Sequence, residues 1–202
     1  SNISFSVLYK LTKSDQSRMH LEIGLDKSVG DDDRKHKILT PTNTIMSIVM
    51  PYAMQNDKAM RLVFGLTNSS NFKNLVIGSQ FRMKYVIDDK AWAFGDKYEF
   101  STWVQKPLND DLSFSTRLQF INQNKLSGSN PTITSPVQSA NPLNYGGRVL
   151  NLGLGLNTLF NFLGGTHKDR FGVEILLPLS ENKNGLQMKG HYEIQFGYQK
   201  SF

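Results

Sequence analysis

The sequence predicts an all-β chain, folded as an antiparallel up-and-down transmembrane β-barrel. Three observations carry that expectation. Nine segments alternate apolar and polar residues with a period of two, the spacing that puts successive side chains on opposite faces of a strand. The connections between them are short and long by turns, as in barrels with tight turns at one rim and loops at the other. The last segment, HYEIQFGYQKSF, keeps its alternation up to Phe202.

The first segment sets Ile3, Phe5, Val7 and Tyr9 against Asn2, Ser4, Ser6 and Lys10, and the second sets Met19, Leu21, Ile23 and Leu25 against Arg18, His20, Glu22, Gly24 and Asp26. In the third, Met60, Leu62, Phe64 and Leu66 oppose Arg61, Gly65 and Thr67. The fourth opposes Leu75, Ile77, Phe81, Met83, Tyr85 and Ile87 to Val76, Gly78, Gln80, Arg82 and Lys84. Tyr98, Phe100, Thr102 and Val104 make the apolar face of the fifth, and Leu112, Phe114, Thr116, Leu118 and Phe120 that of the sixth. Leu150, Leu152, Leu154, Leu156 and Phe160 follow in the seventh, with Phe171, Val173, Ile175, Leu177 and Leu179 in the eighth. The ninth offers Tyr192, Ile194, Phe196 and Tyr198, with His191, Glu193, Gln195, Gly197, Gln199 and Ser201 opposite. No segment has the 3.6-residue period of a helix.

A soluble sheet alternates in the same way, so the connections decide. Thr12 to Ser17, Thr67 to Phe72, Pro107 to Asp111 and Leu163 to Asp169 are short. Lys27 to Asp57, Asn122 to Arg148 and Ser180 to Gly190 are long, and Asp88 to Asp96 is intermediate. The chain then forms one domain over residues 1–202. Nine is odd, whereas single-chain bacterial barrels have an even count, so the pattern predicts missing N-terminal strands of a barrel of about 10–12. No leader with basic, apolar and small-residue regions opens the sequence, which fits a processed or N-terminally incomplete chain.

Composition removes several function classes. There is no cysteine, hence no disulfide and no thiolate ligand or nucleophile, and the formal charge of +6 is spread singly along the chain. No basic tract or recognition motif predicts nucleic-acid binding. No run approaches the roughly 20 apolar residues of a membrane helix, a test to which strands of about 9–11 residues are blind. His20, His36, His167 and His191 are dispersed without metal-site spacing. His191, Glu193 and Ser201 share a face, but ten residues of strand separate His191 from Ser201, roughly 33 Å. Neither enzymatic activity nor a cofactor or metal is expected.

Charges on the polar phase are the candidate site. Arg18, Arg61, Arg82, Arg117 and Arg170 each fall on a different segment, accompanied by Glu22, Lys84, Glu99, Glu174 and Glu193. A lysine or arginine facing lipid at mid-depth costs about 2–4 kcal/mol, so all are expected inside. There they would either form an electropositive constriction selecting anionic or aromatic solutes or brace a filled lumen as Arg–Glu bridges. Phe5, Tyr9, Phe81, Tyr85, Trp92, Tyr98, Phe100, Phe160, Tyr192 and Phe202 fit interfacial girdles. For Trp92, in AWAFGD, a loop anchor is preferred over a sugar-stacking role. Met46, Met50, Met54 and Met60 are expected to pack down over the barrel mouth rather than bind copper. Asp31, Asp32 and Asp33 read as a solvated loop tip.

The final segment resembles the C-terminal assembly signal of outer-membrane barrels, carried by Ile194, Phe196, Tyr198 and Phe202, with Lys200 departing from it. Nearly the whole chain resembles the outer-membrane transporter family named for the MetA pathway of phenol degradation. Gly95, Asp96, Lys97, Tyr98 and Glu99 match one of its elements, and Gly146, Gly147 and Arg148 a second. Pro178, Gly185, Leu186 and Gln187 match a third in part. The resemblance implies a Gram-negative outer-membrane channel for small solutes, with membrane lipid, lipopolysaccharide and the barrel assembly machinery as partners. The alternative is a non-transporting structural or surface-interaction barrel with a plugged lumen.

Overall fold

A computed structural model describes residues 2–14, 16–88, 90–160 and 169–200. Its strands, in chain order, are β1 (Asn2–Lys13), β2 (Ser17–Ser28), β3 (Lys35–Leu39), β4 (Ile45–Val49), β5 (Met60–Phe72), β6 (Leu75–Val86) and β7 (Trp92–Ala93). They continue as β8 (Lys97–Pro107), β9 (Leu112–Gln123), β10 (Ser127–Gly128), β11 (Gly147–Phe160), β12 (Asp169–Lys183) and β13 (Glu193–Gln199). Two single 3-10 turns, Tyr52–Met54 and Gln138–Ala140, are the only other regular elements among the described residues.

All nine expected strands are present, in one antiparallel sheet of order β1-β2-β5-β6-β8-β9-β11-β12-β13. Every neighbour in the sheet is also the next long strand in the chain, so the topology is up-and-down. The third strand runs on to Phe72, leaving Lys73 and Asn74 as the turn, with Lys73 at φ 53°. The last strand begins at Glu193, so His191 and Tyr192 precede it. The four short strands are additions that the sequence pattern did not resolve. β3 and β4 pair as a hairpin inside the longest loop, and β7 pairs with β10 between two others. Among the described residues β1 and β13 share no ladder, so the sheet has two free edges.

The apolar and polar phases are enclosed in the reverse of the usual order. Leu154, Ile175 and Phe196 on the apolar phase are 40%, 42% and 70% exposed, whereas Asp26, Arg61, Ser101 and Gln119 on the polar phase are 0%, 7%, 2% and 6% exposed. Among the described residues no second layer covers the aliphatic face. Among the described residues Val63 and Leu176 are the only buried apolar side chains of the nine-stranded sheet, and both sit on its polar phase.

The apolar core lies elsewhere, in the long loops. Tyr52, Trp92, Leu126 and Ile133 form a buried cluster, with Val49, Phe94, Ala140 and Tyr145 packed against it. Tyr52 meets Trp92 edge-on at 4.9 Å, and Phe94 bridges Trp92 and Tyr145 at 5.5 and 5.6 Å. The Tyr52 hydroxyl accepts from the Asn130 amide at 2.7 Å, tying two loops together. Trp92 is thus a loop anchor and not part of a girdle. The methionines are not what packs this cap: Met46 and Met54 stay half exposed, and the rings do the filling. Phe202, the end of the expected assembly signal, and His167 lie outside the described residues.

Candidate functional site

The polar phase carries ion pairs that reach over intervening strands. Gly65 on β5 stands in register between Glu22 on β2 and Arg82 on β6. Arg82 spans it, with Nε and Nη2 donating to the two Glu22 oxygens at 3.0 Å each. A Cβ at position 65 would stand 2.9 Å from Glu22 Oε2, so glycine clears the way for the bridge.

The same device recurs across β11. Arg117 on β9 is opposite Gly153, and Glu174 on β12 is opposite Gly155. Arg117 Nε donates to Glu174 Oε1 at 3.0 Å while Nη2 donates to Oε2. A Cβ at 153 would lie 2.5 Å from that carboxylate. Two fork-on-fork pairs, each crossing two strand spacings of about 4.8 Å, lace the enclosed face together.

The other expected residues are distributed unevenly. Arg61 pairs with Asp57 and donates to the Phe94 carbonyl at 3.1 Å. Lys84 pairs with Asp26 on β2. Glu99 accepts from Gln119 at 2.7 Å and meets Lys97 at 3.3 Å, and Gln119 accepts from Asn151 at 3.1 Å, extending a polar ladder over β8, β9 and β11. Arg170 donates to Asn157 at 3.0 Å and Glu193 accepts from Gln195 at 2.8 Å. Arg18 is exposed near the short-turn rim. The arginines therefore do not form one positive ring. Most of the charge on this face is compensated within it.

Three residues absent from the expected set matter most. Asp57 fastens the loop cap to the sheet: its carboxylate takes the Arg61 guanidinium, the Phe94 amide at 2.9 Å and the Ala59 amide at 3.2 Å. Burial would by itself raise its pKa, but the Arg61 guanidinium and these amides outweigh burial and hold the carboxyl below its usual range. Asp26 is fully buried, and its Oδ1 has no partner among the described residues. It borders a cavity of about 300 Å³ beneath the cap, reached from β1 through β9. Trp103 sits on the polar phase of β8, opposite Gly78, and its indole occupies the space a Cβ at 78 would need.

Trp103 borders a larger cleft of about 400 Å³ on the same face. Its walls run from Gln80 on β6 to Gln195 on β13, strands five places apart in the sheet. Laid flat, these would be roughly 24 Å apart. Sharing one cleft requires the sheet to curl with its polar side inward. Among the described residues no cluster of three or more His, Asp or Glu is arranged to hold a metal.

Of the elements that carry the family resemblance, Asp96, Gly146 and Gln187 make turn contacts beside the strand ends, while Lys97, Tyr98, Glu99, Arg148 and Pro178 lie within strands. Asp96 Oδ1 accepts the Val86 amide at 2.9 Å, Gly146 takes φ +74° against the Asn124 carbonyl, and Gln187 Nε2 donates to the Gly146 and Asn184 carbonyls at 2.7 Å each. No protein-family model matches the chain, and no curated protein does.

Proposed function

We propose that the nine-stranded sheet is the wall of an outer-membrane β-barrel through which small solutes pass. The carrying observation is the inversion of phases: aliphatic side chains stand exposed along the strands, whereas on the other phase Asp26, Arg61, Ser101 and Gln119 are buried and Arg117 and Glu174 are largely shielded. In water such a surface would be an aggregation liability; facing hydrocarbon it is the favoured arrangement. Long loops at one rim and short turns at the other fit the same reading, as does the motif resemblance to the phenol-degradation MetA family. Free strand edges are not tolerated in a bilayer, so the reading requires β1 and β13 to meet each other or further strands.

Compensated ion pairs and two polar cavities on the enclosed face suit a narrow path for neutral or singly charged solutes better than a wide anion pore. A second reading has its own support. The cap, fastened by Asp57 and Arg61, and the closed Arg–Glu bridges favour a plugged, structural barrel.

Planar-bilayer conductance separates the two. Passage predicts discrete conductance, with Arg82→Ala and Arg117→Ala each shifting ion selectivity toward cations. No conductance in any condition would leave the plugged barrel. Conductance with selectivity unchanged in both variants would remove these arginines from the path.

A further inference from the structure

The 400 Å³ cleft on the enclosed face is within the size range of small-ligand sites, about 300–1,000 Å³. Its chemistry is specific. Trp103 lies against Gly78, where the missing side chain lets the indole come down onto the backbone, and the ring also borders the cleft. Around it the amides are only half used. Gln80 donates to Thr67 at 2.8 Å, Gln105 to Ser113 at 2.7 Å and Gln195 to Glu193 at 2.8 Å, all through Nε2. Among the described residues, no hydrogen bond reaches the three Oε1 atoms. Asn157 spends its Oδ1 on Arg170 and keeps its Nδ2 donors. The cleft's other charges, Arg117 and Glu174, neutralise each other.

A carboxylate would have one cation to meet, Arg170, which already donates to Asn157, against three carbonyl oxygens that repel it. A plain apolar ring would leave them dry and unpaired, at a cost of a few kcal/mol. Hydroxyl groups donate and accept at once, and so suit a rim that offers free carbonyl acceptors beside unused amide N–H groups. An aromatic floor with a polar rim calls for a ligand with an apolar face and a hydroxylated edge. We propose that this cleft binds a single neutral pyranose, its C–H face on Trp103 and its hydroxyls on Gln80, Gln105, Gln195 and Asn157. The proposal rests on the polar face being a lumen, but binding does not require conduction, so the two fail separately.

Calorimetric titration of the full chain folded in detergent micelles, with glucose, glucuronate and benzoate as separate probes, tests it. Glucose is expected to bind saturably, with Trp103→Phe within about threefold of wild type and Trp103→Ala weakened roughly tenfold or more. Should Trp103→Ala not fold, Gln105→Leu, which leaves the platform in place, must weaken glucose by at least about threefold. No saturable glucose binding, binding of glucuronate or benzoate without glucose, or affinity untouched by the folded variants would each overturn the proposal.

Discussion

Arg117 and Glu174 stand on strands that are not neighbours, and their fork-on-fork bridge passes over the glycines of the strand between them. Both side chains are about four-fifths shielded, so the pair falls between an exposed bridge of 0–1 kcal/mol and a buried one whose rupture costs about 3–5 kcal/mol. Glu174→Gln is expected to destabilise by about 1–2 kcal/mol, read as a lowered urea midpoint in vesicles. Glu174→Gln with Arg117→Gln should recover part of that loss, because no unpaired charge remains. On the proposed channel reading, the single variant also leaves a free guanidinium on the polar face, so ion selectivity should move toward anions.

Gly78 and Trp103 make a second coupled pair. Gly78→Ala forces the indole off its seat, an overpacking cost of about 1–3 kcal/mol. The same substitution in a Trp103→Ala background should cost little. A double-mutant cycle on unfolding free energies measures the difference, and additivity would show that the ring does not rest on Gly78.

The nine long strands could be read from the sequence because each meets two unlike environments over its whole length, which preserves a period of two. The β3–β4 hairpin could not: KHKIL and IMSIV are five residues each, too short to declare a phase. Asp57 and Asp26 are not legible as a site because decisive partners come from distant segments, Phe94 for Asp57, whose other partner Arg61 lies only four residues on, and Lys84 for Asp26. In the sequence Trp103 is only an apolar residue in a polar phase. Only the register, which places it opposite Gly78, gives it a role.

The cap should loosen in acid. Asp57 has a lowered pKa in the folded chain, so its contribution is complete above the unfolded value, about 3.9, and is lost as pH falls through the lower folded one. Trp92 emission and protease sensitivity of the 50–59 loop should hold steady from pH 7 to about 5 and change below about 4. Asp57→Asn should show the loosened state already at neutral pH and lose the acid step. A wild-type transition centred near neutrality would assign the switch to another group.

Tyr52 anchors the same cap from its apolar side. It is 1% exposed, and its hydroxyl is the acceptor for Asn130 N. Tyr52→Phe removes only that bond and leaves a partly buried amide without it, worth about 0.5–1.5 kcal/mol. Tyr52→Ala opens a cavity as well, about 3–5 kcal/mol by analogy with other large aromatic truncations. Amide exchange in the 124–146 loop should speed up in that order while exchange in β5 and β6 stays slow, because the strands are held by their own ladders.

What surrounds the aliphatic face can be asked with one charge placed on either phase. Leu154 and Asn157 are three residues apart on β11 and project to opposite faces. With lipid outside, Leu154→Arg buries a guanidinium in hydrocarbon and should cost about 2–4 kcal/mol in vesicle refolding, whereas Asn157→Arg meets the polar interior and should cost less than about 1 kcal/mol. Ile175→Arg, beside Leu154 on β12, should behave as Leu154→Arg. A soluble sheet with a solvated exterior would show neither penalty, and the protein would fold without detergent or bilayer. Equal costs on the two phases, together with a monodisperse chain in plain buffer, would mean that the exposed leucines meet water, and the barrel reading would fall with them.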